Sequence, residues 1–355
     1  MASVSKNDKM KTTRTSSKNS RSLSVSEFSL GLALVVLSAQ TCAMDFTPDA
    51  SRVLSDPAYL PERGQIYGVT NYSYAKRIGD DYDFQDTRFR SFTVRSSALA
   101  QSFDYGVIDN LSVRMNLAYE RDNTQYDFPD GTSATTDAYG FKDPGFGVTL
   151  RVLEQDDDSF NWDLIGAYVP TVIEAKRPTP TRDGTVSRGG PVGTFGTAVS
   201  YKTRSFTVYV NAEASYLGTS KINISNNGGV ATETYEPSWQ YFVGLNTQTR
   251  INDMFAINFG ASETISDSAR GTASFDGVPF ASFDSKPGNL TRINVATVMH
   301  ILPQGLAAVL SFDHYMYGDS SNGNTMPATY AQFFDRTTKN ESANAISLSL
   351  LYVWD

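Results

Sequence analysis

The chain offers two histidines, His300 and His314, and one cysteine, Cys42, for the chemistry that most often needs those residues. A hydrolase needs a nucleophile or an activated water beside a base, and on a strand a serine shares the histidine's face when it lies two positions away. His300 is instead followed at that distance by Leu302, and His314 by Met316. Asp313 and His314 are neighbours, so a strand points them to opposite faces. No catalytic residue is assigned, and the chain is expected not to be an enzyme. Asp80, Asp81, Asp83 and Asp86 could hold a divalent cation, but acidic surface loops are ordinarily just solvated, so neither a metal nor a cofactor is assigned. There remain the ions Arg114, Arg151, Asp163, Glu213, Arg292 and Asp313, each set within a run of alternating apolar residues. Either they create a transverse field that orients a polar solute at a constriction, or they pair with one another and brace their surroundings, which the mixed signs favour.

Those alternating runs are the elements that must position the ions. In the clearest, Leu111, Val113, Met115, Leu117 and Tyr119 share one face of a strand, while Ser112, Arg114, Asn116, Ala118 and Glu120 share the other. A slip of one residue would carry Arg114 to the apolar side. The last ten residues repeat the pattern, with Ile346, Leu348, Leu350, Tyr352 and Trp354 in one stripe that lipid can solvate. Tyr352 and Trp354 resemble the terminal assembly signal of barrel porins, although Asp355 follows the final aromatic. Aromatics gather near both ends of the strands, as the two interfaces of a bilayer select: Tyr119, Tyr168, Tyr216 and Trp239 at one, Phe160, Trp162, Phe206, Phe255 and Trp354 at the other. The segments around 65–77 and 91–105 alternate less clearly.

From Gln65 onward twelve such segments are separated alternately by short turns and long polar stretches, with no amphipathic helix between them. The short turns fall at 106–110, 154–159, 202–205, 250–253 and 302–305; the long connections run roughly 79–90, 121–139, 173–189, 218–236, 266–290 and 318–341. The expectation is an all-β, transmembrane, up-and-down antiparallel barrel of about twelve strands over 65–355, with short periplasmic turns, long external loops and both termini in the periplasm. Twelve strands about 4.8 Å apart, tilted by ~40°, close to a backbone diameter of roughly 24 Å and leave a bore of ~10 Å.

Residues 1–43 read as a secretory signal peptide: six basic residues before Glu27, an apolar run from Phe28 to Leu37, and small residues around Cys42 suited to cleavage before Met44, with Met10 an alternative start. Cys42 would leave with it, so the mature chain has no disulfide or thiolate site; lipidation at Cys42 is the competing reading. The remainder carries 24 basic and 36 acidic residues, which argues against nucleic acid as a partner. Residues 44–64, with Tyr59 inside Asp56-Pro57-Ala58-Tyr59-Leu60-Pro61, are either a loose periplasmic tail or a plug. The connection holding Phe275, Val278, Phe280 and Phe283 is too apolar for water, and is expected to fold inward over the lumen or to rest on the bilayer rim.

Tyr105-Gly106-Val107-Ile108-Asp109-Asn110-Leu111, followed by Gly140-Phe141-Lys142-Asp143-Pro144-Gly145-Phe146-Gly147, resembles the proteobacterial outer-membrane proteins labelled as the meta-pathway of phenol degradation. The resemblance covers most of 64–355 and implies a transporter for small aromatic or apolar compounds. It names no transport residues. The reading is therefore a bacterial outer-membrane channel for passive passage of small solutes. Its expected partners are outer-membrane lipid and lipopolysaccharide, the barrel-assembly machinery and a small-molecule solute. A closed structural or surface-binding barrel is the alternative, and an outer-membrane hydrolase a more distant one.

Overall fold

A strand with one oily face and one wet face leaves its backbone N–H and C=O groups to be paired sideways, and in hydrocarbon only a closed ring leaves no edge unpaired. The computed structural model describes residues 56–354 apart from 84, 156–159, 204, 227–228, 303–304 and 325–334. The proposed signal segment 1–43, residues 44–55 and Asp355 lie outside the described residues. The wall is a ring of twelve antiparallel strands: β1 Ile66–Tyr82, β2 Arg88–Ile108, β3 Leu111–Asp127, β5 Gly145–Leu153, β6 Asn161–Val169, β8 Val192–Lys202, β9 Phe206–Leu217, β12 Ser238–Arg250, β13 Phe255–Ser266, β16 Leu290–Leu302, β17 Leu306–Tyr317 and β19 Arg336–Trp354. Each pairs with the next in this order, and β19 closes onto β1 with Trp354 opposite Ile66 and Ile346 opposite Tyr74. Among the described residues there is no helix.

The parity read from the sequence sets the two faces. Leu99, Phe312 and Leu348 are each half or more exposed, at 53%, 52% and 50%, where a water-soluble sandwich would have buried them. Such a continuous apolar exterior is stable against lipid, not water. The blurred alternation of β1 and β2 has a local cause: Thr70 and Gln101 stand on the outer face. Gln101 accepts from Thr70 Oγ1 at 2.6 Å and donates to Tyr352 Oη at 2.7 Å, so three polar groups satisfy one another.

The five short turns lie where the sequence places them, between β2 and β3, β5 and β6, β8 and β9, β12 and β13, and β16 and β17. The long connections differ from the expectation of loops. About ten residues take a tilted strand across a bilayer, yet β2 has 21, so the chain keeps pairing well beyond the apolar band. The intervening stretches form β4 Ser133–Phe141, β7 Ala175–Lys176, β10 Ser220–Asn226, β11 Gly229–Tyr235, β14 Ala269–Phe275, β15 Val278–Lys286 and β18 Ser320–Asn324. These continue the wall as a crown: β4 on β3, β7 on β10, then β11, β14, β15 and β18 in turn, and finally the upper part of β19. Backbone bonds between Gly184 and residues 137 and 139 join β4 to the segment that follows β7 and complete the second ring. With water on both faces, a strand needs no apolar stripe, and the Thr, Ser and Tyr of these stretches are good strand formers.

The Phe275 to Phe283 segment is accordingly a wall hairpin, β14 with β15, and not a loop laid over the lumen. Phe283 is buried with Ala273, Ala281 and Tyr235, whereas Phe275, Val278 and Phe280 are exposed.

Candidate functional site in the barrel lumen

At the short-turn end of the barrel, residues 56–61 pack against the inner wall and 62–64 are exposed. Asp56, Leu60 and Pro61 are buried. Asp56 Oδ2 is 2.9 Å from Lys202 Nζ, and Arg151 Nη2 donates to the Ala58 carbonyl at 2.7 Å. Tyr59 packs on Tyr67, ring centroids 4.8 Å apart, and both lie against a patch of Ala256, Val298, Ala307 and Leu351. The lumen at this level is thus two-sided, apolar where Tyr59 rests and charged where Asp56 docks. Gly106 is required where the segment turns into β1, because a Cβ there would fall 1.9 Å from the Glu62 carbonyl oxygen. The described part of 44–64 is held against the inner wall by these contacts. Residues 44–55 fall outside the description.

The six ions singled out in sequence face the lumen with partners. Arg114 Nε donates to Asp104 at 2.8 Å, Arg151 to Asp163 at 2.9 Å, and Arg292 to Asp313 at 2.6 Å, while Glu213 accepts from Asn211 at 2.7 Å. Asp104 and Lys202 carry no local signal of their roles, and nothing near Asp56 in the chain marks it as the partner of Lys202. The pairing of Asp104 with Arg114 follows from register alone, and a clearer parity on β2 would have revealed it. The histidines separate as adjacency requires: Asp313 is buried in the lumen, and His314 is on the opposite face beside Asn344. His300 is buried, with Nδ1 3.3 Å from the Asp253 carbonyl. The acidic quartet is dispersed into contacts with Ser91, Arg90, backbone N–H groups of Gln85 and Thr87, and Lys339.

Midway up, beside Glu213, the Arg292–Asp313 pair and the Phe242 ring, asparagine amides lie over glycines. Across the β9–β12 pair, Asn211 faces Gly244, and across β12–β13, Asn246 faces Gly260. A Cβ at Gly244 would meet Asn211 Oδ1 at 2.6 Å, so the amide occupies the space over the glycine and lies close to the wall. The Oδ1 atoms of Asn211 and Asn258 are buried without a hydrogen-bond partner among the described residues.

Above this, two neighbouring cavities lie in the crown. The lower, about 390 Å³, is lined by Arg77, Tyr317, Gln240, Thr264 and Glu341, with Arg77 3.3 Å from Glu341. The upper, about 520 Å³, shares Ser320 and Asn322 with it and carries Arg90, Arg177 and Arg336 against Asp81. Arg177 makes a two-pronged pair with Glu233 at 2.7 and 2.6 Å. Although burial opposes charge on Arg177, Glu233 and Tyr235 together outweigh it and raise the guanidinium pKa. At the outer rim Asp143 accepts from the N–H groups of Val172 and Ile173 and from Ser187 Oγ. Burial would raise its pKa, but these three donors prevail and hold the carboxyl below its ordinary value.

No family model matches the chain, and no curated protein matches it either. Among solved structures it is similar to an outer membrane channel from Pseudomonas putida F1, at TM-score 0.54 and 12% identity over 87% of this chain and 100% of that one. It is also similar to the transport unit of the autotransporter AIDA-I from Escherichia coli, at TM-score 0.51 and 11% identity over 90% and 96%. At these identities the likeness is one of fold, the closed barrel of outer-membrane channel and transport proteins. The phenol-degradation label suggested by the turn motifs gains no support from a family match.

Proposed function

We propose that the protein is a channel of the bacterial outer membrane for passive passage of small solutes, with small aromatic or apolar compounds as its cargo. The observation that carries the reading is the pairing of an exposed apolar exterior with a lumen of polar and small residues. In that lumen the Asn211 and Asn246 amides lie over Gly244 and Gly260, and the crown above them holds a cavity of about 390 Å³. The described outward stripe ending in Tyr352 and Trp354 suits contact with outer-membrane lipid and lipopolysaccharide and recognition by the barrel-assembly machinery. Both ends of the barrel sequence lie at the short-turn side, where β1 begins opposite the end of β19, which supports periplasmic termini. The aromatic cargo rests on the resemblance of the Tyr105 to Gly147 motifs and on the tyrosines of the crown.

Swelling of liposomes containing the purified protein tests this. Small neutral solutes should enter far faster than in protein-free liposomes, with rates falling as solute size approaches the bore. Rates equal to protein-free liposomes for every solute would defeat the proposal. A second reading, a closed structural or surface-binding barrel, is favoured by the segment docked at Lys202 and Arg151; it expects no entry at all.

A further inference from the structure

The charge of the upper crown cavity runs against that of the molecule. The chain has a net charge of −8, yet this cavity gathers Arg90, Arg177 and Arg336 around the single carboxylate of Asp81. Two of the three are already matched: Arg90 Nε lies 2.7 Å from Asp81 and Arg177 is clamped by Glu233. Arg336 makes no ion pair among the described residues; its guanidinium sits over the Phe89 ring at 5.0 Å, on which Arg90 also stacks at 5.1 Å. Arg90 is further held over Tyr126 at 4.1 Å. Loss of bulk solvent inside the crown, and then the like charges of Arg90 and Arg177, lower the Arg336 pKa, the signature of a cation placed where an anion is wanted.

Arg336 reaches the cavity by a backbone device. Along the lower part of β19 the lumen face is carried by odd positions such as Ala343 and Glu341. Between these and Thr338 the register with β1 shifts by one, and Asn340 adopts a left-handed φ of 55°. The bulge reverses parity, so that Thr338 Oγ1 donates to Asp81 at 2.8 Å and Arg336 lines the same cavity. Without it Arg336 would stand on the outer surface. Apolar surface for the rest of a ligand is supplied by Tyr126, Phe128 and Pro178.

We propose that this cavity binds a small organic acid, its carboxylate received by Arg336 beside Arg90 and its flat apolar body lying against Tyr126, Phe128 and Pro178. A carboxylate meets guanidinium in a two-pronged geometry that a neutral solute cannot use. The inference deepens the channel reading by giving its cargo a charge, and rests on it only in treating the site as the entrance to the bore.

The test is titration of benzoate into the detergent-purified barrel, followed by ligand-observed NMR, with benzyl alcohol as the uncharged analogue. Unheated electrophoretic migration checks that each variant is folded; Arg336 has no carboxylate partner, so its removal leaves no orphaned charge. Benzoate should bind at least tenfold more tightly than benzyl alcohol, Arg336→Ala should abolish that difference, and Arg336→Lys should restore part of it. Equal binding of the two probes, or benzoate binding unchanged in Arg336→Ala, would overturn the proposal. Liposome swelling separates the two claims. Benzoate binding without solute entry refutes the channel and leaves the site, whereas solute entry without benzoate binding refutes the site and leaves the channel.

Discussion

Asn211 lies flat because residue 244 has no side chain, and that dependence makes the bore adjustable one residue at a time. Gly244→Val should push the amide off the wall, lowering single-channel conductance severalfold while leaving the folded barrel intact, as unheated electrophoresis would show. Lys202→Met acts on the docked segment instead. It removes the cation from a carboxylate whose side chain is 3% exposed, a loss on the order of 3 kcal/mol, and should free residues 56–64 to leave the lumen. Proteolysis of that segment should then accelerate relative to the unaltered barrel, and an unchanged rate would mean that Asp56 does not hold it. The ions of the lumen were legible as inward-facing because period-two alternation assigns the face of every position in a clean strand. Their partners were less so. Asp104 and Arg114 are ten residues apart in the chain and meet only through the register of β2 on β3, which no local pattern states. Asp56 and Lys202 belong to segments far apart in sequence and meet only through closure of the ring.

At the scale of elements, the turns on one side of the barrel were plain in the sequence and the strands on the other side were not. A two- to four-residue reversal demands particular residues, as Asp109 and Asn110 illustrate between β2 and β3. The crown strands demand only residues that tolerate extended backbone. In water they lose the apolar stripe that marks a strand, so polar stretches such as 218–236 look like loops while forming the β10–β11 hairpin. The Asn340 bulge was invisible for a related reason: it reverses parity where parity no longer correlates with hydropathy. One connection is held by a titrating group. Asp143 pins residues 172–187 by three hydrogen bonds, and its pKa is depressed. A depressed carboxyl contributes stability that is present above its unfolded pKa near 3.8 and is lost as pH falls through the lower, folded value. Limited proteolysis of this segment by an acid-active protease should therefore stay slow at pH 5 and accelerate only as the pH falls below the ordinary carboxyl value of 3.8. Asp143→Asn should be cleaved faster at pH 5 and lose most of that pH dependence.

The whole molecule combines an oily cylinder, a lumen lined by polar residues, a docked segment at the short-turn end and an arginine-lined crown. The ring closes by pairing the first strand of the barrel with the last, so the terminal stripe from Ile346 to Trp354 supports the entire circumference. Assembly should consequently fail as a unit when that stripe is broken. Leu350→Asp, placed on the lipid face opposite Thr70 and Ala308, should yield protein that migrates identically heated and unheated. The central claim is that a conducting bore exists and is narrowed from below, not sealed, by the segment that begins at Asp56. Single-channel recording in planar bilayers, comparing the intact barrel with one lacking residues 56–63, addresses it most directly. The account predicts low or intermittent conductance for the intact barrel and a steady, severalfold larger conductance for the shortened one. Equal conductance in the two, or silence in both from barrels shown to be folded, would contradict it.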